Sequence, residues 1–112
     1  MNINLHNKKF KALNNSANGE VSDATVFHYY QENEMVWANY SGGDILKGFL
    51  IGKRKGETLE FTYQHLNKGL EIMTGKCHSE IEMGSDNKIL LHEKWEWTCR
   101  DFSKGSSELK EV

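Results

Sequence analysis

Apolar and polar residues alternate with a period of two along most of this chain. From Leu70 to Met83 the odd positions run Met73, Gly75, Cys77, Ser79, Ile81 and Met83, against Lys76, His78, Glu80 and Glu82 at even positions. From Ile89 to Cys99 the odd positions run Ile89, Leu91, Glu93, Trp95, Trp97 and Cys99, against His92, Lys94, Glu96 and Thr98. Leu59, Phe61 and Tyr63 alternate with Glu60, Thr62 and Gln64 in the same way. Successive side chains of a strand point to opposite faces, so this pattern predicts strands with one buried and one wet face. Helical periodicity is hard to find.

Turn signals separate the alternating segments: Ser41-Gly42-Gly43-Asp44, Arg54-Lys55-Gly56-Glu57, Leu66-Asn67-Lys68-Gly69-Leu70 and Gly84-Ser85-Asp86-Asn87-Lys88. The polar run Asn14 to Gly19 reads as a loop. Zero prolines and ten glycines fit ladder-paired strands joined by glycine turns. Strands are predicted at 8–14, 24–31, 35–41, 45–53, 58–65, 70–83, 89–100 and 106–111. Short connections make each strand antiparallel to the next, and a meander of this length exposes two edges unless it closes. The expected fold is therefore all-β, an antiparallel up-and-down meander closed into a barrel of about eight strands. A two-layer sandwich, the main alternative, needs long crossovers for which the turns leave no length.

Loop lengths set a register. The 84–88 loop pairs Met83 with Ile89, hence Ser79 with Glu93, Cys77 with Trp95 and Gly75 with Trp97. A loop at 67–69 pairs Phe61 with Gly75. A Lys55-Gly56 turn pairs Gly48 with Tyr63, and a Gly42-Gly43 turn pairs Trp37 with Gly48 and Asn39 with Leu46. Large rings then lie across bare glycine backbone, as in a filled barrel. Yet Asn39, Tyr63, His65, Ser79 and Glu93 also point inward, and an apolar filling does not need them. A packed interior and a ligand cavity both remain open. On the second strand either Phe27 and Tyr29 or His28 and Tyr30 face in.

Glu93 is the most informative residue, because an unpaired carboxylate between Leu91 and Trp95 is costly and takes up a proton. It is read either as a structural partner of Ser79 or as an anchor for a polar or cationic ligand group beneath Trp95 and Trp97, with general acid–base work as a third role. A Cys/His nucleophile is excluded: the register sets His65 about 20 Å from Cys77. His78 faces away from Cys77, which excludes zinc between them. No P-loop, dinucleotide turn, nucleophile elbow or H-E-x-x-H motif occurs.

At 112 residues the chain fits one domain, residues 1–112, long enough for a core without metal or disulfide. Fourteen Lys+Arg against sixteen Asp+Glu, a net charge of -2, argue against nucleic acid and anionic membranes as partners. The one basic cluster, Lys53-Arg54-Lys55, reads as a solvated hairpin tip. There is no apolar span or leader pattern, so a cytoplasmic location is expected. Cys77 and Cys99 fall about 13 Å apart along neighbouring strands in this register, too far to bridge.

The segments Trp37-Ala38-Asn39-Tyr40-Ser41-Gly42-Gly43, Gly48-Phe49-Leu50-Ile51-Gly52, Thr74-Gly75-Lys76-Cys77-His78-Ser79-Glu80 and Leu91-His92-Glu93-Lys94-Trp95-Glu96-Trp97 resemble those of a family of small bacterial proteins often labelled N-acetylglutamate synthase. The resemblance runs from about Phe27 onward. It implies a calycin-like barrel, related in shape to lipocalins and streptavidin. The [QR]-x-x-G-x-[GA] turn with which acetyltransferases hold acetyl-CoA is absent.

The function expected from these readings is binding of a small, partly apolar molecule inside the barrel, without cofactor or metal. The candidate site is Trp37, Asn39, Tyr63, Ser79, Glu93, Trp95 and Trp97. The alternatives are an acetyltransferase acting on glutamate and a partner-binding module with a packed interior. Ligand identity and oligomeric state are not encoded in any motif.

Overall fold

A computed structural model describes residues 3–112. Eight strands follow in order: β1 (Lys8–Asn15), β2 (Val26–Glu32), β3 (Met35–Gly42), β4 (Ile45–Lys55), β5 (Thr58–Asn67), β6 (Ile72–Met83), β7 (Ile89–Trp97) and β8 (Lys104–Glu111). Each pairs antiparallel with the next and β8 returns to β1, closing the barrel. Closure removes both sheet edges, as the meander requires. Phe27 and Tyr29 face inward on β2, while His28 and Tyr30 stack on each other outside at 4.6 Å. Cys77 and Cys99 are free thiols.

The β6–β7 register is the expected one, with Ser79 opposite Glu93, Cys77 opposite Trp95 and Gly75 opposite Trp97. Two other pairs slide by two residues, which preserves the faces and changes the partners. At the β4–β5 hairpin Gly56, at φ 61°, takes the first central position of a Gly56–Glu57 turn, the position where a two-residue hairpin of type II′ needs glycine. Gly48 therefore faces His65, and Leu50 faces Tyr63. Between β5 and β6 the Asn67 side chain accepts the Gly69 and Glu71 amides, both at 3.0 Å, and so builds a longer loop than three residues. Tyr63 then lies opposite Gly75, and Phe61 opposite Cys77.

The β3–β4 register corrects the expected site. The turn is Gly43–Asp44, and β4 carries a bulge in which Leu46 and Lys47 together oppose Ser41. One extra residue in a strand inverts every facing beyond it. Val36, Ala38 and Tyr40 point inward, whereas Trp37 and Asn39 point outward. Trp37 stacks on Tyr30 at 5.7 Å on the outer surface. Gly42 is needed for another reason than the turn: a Cβ there would stand 2.1 Å from the Ala24 carbonyl oxygen.

The barrel has two unlike ends. The base carries the 33–34, 56–57 and 84–88 connections and is sealed by Ile3 and Leu5, both buried. Arg54 points into it, correcting the expectation of a solvated cluster; only its neighbours Lys53 and Lys55 are exposed. Its guanidinium donates to the Ile3 carbonyl, to Gln31 Oε1 at 3.1 Å and to the Gly56 carbonyl at 2.8 Å. The opposite end, the mouth, carries the 16–25, 43–44, 68–71 and 98–103 connections.

Candidate ligand-binding site

The inward positions of the strands near the mouth are mostly rings. Trp95 and Trp97, two apart on β7, meet at 57° with centroids 5.5 Å apart. Tyr63 on β5 stands edge-on to Trp97 at 5.8 Å and 64°. Phe27 and Tyr40, from β2 and β3, stack at 4.8 Å on the facing wall. Such crowding is possible because glycines lie beneath the rings: a Cβ at Gly75 would stand 2.2 Å from the Tyr63 ring, and one at Gly105 2.2 Å from that of Trp95. The complementarity of rings and glycines expected from the sequence holds with partly different partners.

These walls enclose a cavity of about 40 Å³, floored by Cys77, Glu93 and Ser107 and covered by Gly19, Glu20 and Val21 of the 16–25 connection. Both indole N–H groups hold that cover in place: Trp95 Nε1 donates to Asn15 Oδ1 at 3.1 Å, and Trp97 Nε1 to the Asn18 carbonyl at 3.1 Å. Asn15 in turn donates to the Val21 carbonyl at 2.9 Å. Glu20 Oε1 accepts from His65 Nε2 at 2.7 Å, while His65 Nδ1 bonds the Tyr40 hydroxyl at 3.0 Å. Asn67 adds a second contact to Glu20 at 3.1 Å. Both indole N–H donors are thus spent on the cover and are not free for an occupant of the cavity.

Glu93, 7% exposed, sits at the floor. Ser107 on β8 donates to its Oε1 at 3.0 Å, and its Oε2 has no partner among the described residues. Ser79 lies opposite Glu93 across the β6–β7 pair, but its hydroxyl is not bonded to the carboxyl, contrary to the expected pairing. The Tyr29 hydroxyl faces the same carboxyl, close enough to favour its charged form, but forms no hydrogen bond of full geometry. Burial pushes the Glu93 carboxyl up to about 7, with Ser107 and Tyr29 opposing that rise. Burial also pushes the Tyr40 and Tyr63 hydroxyls and the Cys77 thiol up, all three further raised by neighbouring negative charge. A carboxyl so placed exchanges its proton near neutral pH and is either a buried donor or a counter-charge.

Of the expected site residues, Tyr63, Glu93, Trp95 and Trp97 line the cavity together. Ser79 lies beside Glu93 without lining the cavity, and Trp37 and Asn39 lie outside the barrel. Residues not singled out from the sequence complete the site. Ser107 was within reach of the alternation, since Gly105, Ser107 and Leu109 continue an inward phase against Ser106, Glu108 and Lys110. Tyr40 was hidden by the bulge in β4. Asn15 and Glu20 carry no periodic signal, because Asn15 ends β1 and Glu20 lies in the 16–25 connection that crosses the mouth.

Eight antiparallel strands closed around an inner cavity, sealed at one end and covered by a connection at the other, make a calycin-like barrel. The chain belongs to the avidin-like protein family, whose sequence description matches residues 3–112. No curated protein and no solved structure matches the chain.

Proposed function

We propose that the chain binds a small, partly apolar molecule in the barrel interior at the mouth. The observation that carries this reading is the unpartnered Oε2 of Glu93 at the floor of a ring-lined cavity. Buried polar atoms in folded proteins are almost always hydrogen-bonded, and a barrel interior that served only as packing gains nothing from an orphan carboxyl oxygen. Rings for apolar area and a few convergent polar groups are the usual make-up of a small-molecule site, and membership of the avidin-like family supports the same reading. A cavity of about 40 Å³ admits a head group of a few atoms, so a longer ligand displaces the cover at Gly19–Val21.

An acetyltransferase acting on glutamate is less well supported. Among the described residues the cavity lining contains two carboxyls, Glu20 and Glu93, and no Lys or Arg to receive a carboxylate or a pyrophosphate. The test is a thermal-shift and tryptophan-fluorescence screen with a panel of small metabolites, biotin among them. A ligand that raises the melting temperature and perturbs Trp95 and Trp97 emission supports the reading. A panel that leaves both unchanged while the protein binds partner chains overturns it in favour of a packed module.

A further inference from the structure

Three features of the cavity bear on the charge of its occupant. Its walls are rich in rings, with Trp95, Trp97 and Tyr63 all lining it, and both indole N–H groups are already spent on the cover. Ring faces are negative and attract cations. At the floor one carboxylate oxygen of a residue more than nine-tenths buried has no partner. Among the described residues no Lys or Arg side chain lines the cavity to neutralise it.

We infer that the cavity takes a slim organic cation, the ammonium head of an alkylamine, with Glu93 as its counter-charge and the rings of Trp95, Trp97 and Tyr63 around it. The inference rests on the ligand-binding reading above and gives that ligand its class. A buried ion pair is favourable only when both charges are also hydrogen-bonded. Ser107 already supplies one donor to Glu93, and the unbonded hydroxyls of Ser79 and Tyr29 stand beside it. A primary ammonium adds N–H donors for Oε2. The alkyl body then runs past Trp97 towards the mouth, where the cover gives way.

Binding of this kind competes with a proton. The groups facing Glu93 are Cys77 and Ser79 from β6, Ser107 from β8, Tyr29 from β2, Tyr40 from β3 and Tyr63 from β5. Burial keeps the tyrosines and the thiol protonated across neutral pH. Glu20 of the cover is paired with His65 of β5.

The experiment titrates the protein with n-butylammonium, 1-butanol and butanoate, three probes of one chain length and different charge, read by tryptophan fluorescence and by the indole N–H signals in NMR. The expected result at pH 8 is binding of n-butylammonium at least about tenfold tighter than 1-butanol, with butanoate weakest. With Glu93 titrating at about 7, the ammonium affinity falls about tenfold between pH 8 and pH 6. In Glu93→Gln the cation advantage over 1-butanol and the pH dependence both vanish. The wild-type pH profile carries the test even if that variant folds poorly. Equal binding of all three probes, or tightest binding of butanoate, overturns the cation inference and leaves the cavity reading intact. A pH dependence that survives in Glu93→Gln overturns the role of Glu93. Failure of every probe and of the metabolite panel removes both readings together.

Discussion

Ser107 donates its hydroxyl to Oε1 of Glu93 at 3.0 Å, so the carboxyl is half satisfied from β8 and left open on its other oxygen. The acid is held inside the barrel at a cost that depends on its proton. Burial raises it from an ordinary 4.5 to about 7, so folding takes up a proton between those values. The stabilisation linked to that proton is full below pH 4.5 and is lost as the pH rises through 7. The gap corresponds to about 3 kcal/mol. Urea denaturation of wild type and Glu93→Gln should therefore agree closely at pH 4.5 and diverge with rising pH, the variant gaining on the order of 3 kcal/mol relative to wild type by pH 8. Parallel curves at both pH values would contradict a raised carboxyl.

The glycines under the rings are steric requirements. Gly75→Ala puts a methyl group 2.2 Å from the Tyr63 ring and should cost about 1–3 kcal/mol, with a visible change in the environment of Tyr63 and Trp97. Gly56→Ala meets no atom within 4 Å and pays only for its φ of 61°, about 1 kcal/mol. Chemical denaturation of the two variants separates a packing role from a turn role.

Arg54 ties the N-terminal segment to the base through the Ile3 carbonyl, Gln31 and the Gly56 carbonyl. Arg54→Ala leaves these acceptors unpaired and should destabilise by about 2–4 kcal/mol. Arg54→Lys, a single point charge without the planar fork, should recover only part of that loss. Hydrogen exchange at residues 3–7 should quicken in both variants, more in the alanine one.

The three tryptophans divide by face. Trp37 stacks on Tyr30 outside the barrel, so Trp37→Ala should cost about 1 kcal/mol or less and remove the emission most accessible to a soluble quencher. Trp95→Ala empties an inner position over Gly105 and should cost about 3–5 kcal/mol. Quenching and denaturation curves of the two variants check both statements.

The sequence makes the strands and the inner face of β5 to β7 legible, because alternation is strict there and the 84–88 loop admits one register. The β3 facing was not legible. Nothing in Leu46-Lys47 marks an unpaired extra residue, and Gly42 imitates a turn residue while serving the approach of Ala24. That one bulge placed Trp37 and Asn39 in the expected site and kept Tyr40 out of it. The cover was illegible for a different reason: Asn15 and Glu20 act through tertiary hydrogen bonds to Trp95 and His65, and contacts across the mouth leave no periodic trace.

The sealed base also governs traffic. With Ile3, Leu5 and Arg54 closing one end, the ligand proposed above would have to enter and leave through the same constriction under the 16–25 connection. One occupant must depart before the next arrives. In a chase the release rate should then be independent of competitor concentration, with residence set by the opening of the Trp97–Asn18 and His65–Glu20 contacts.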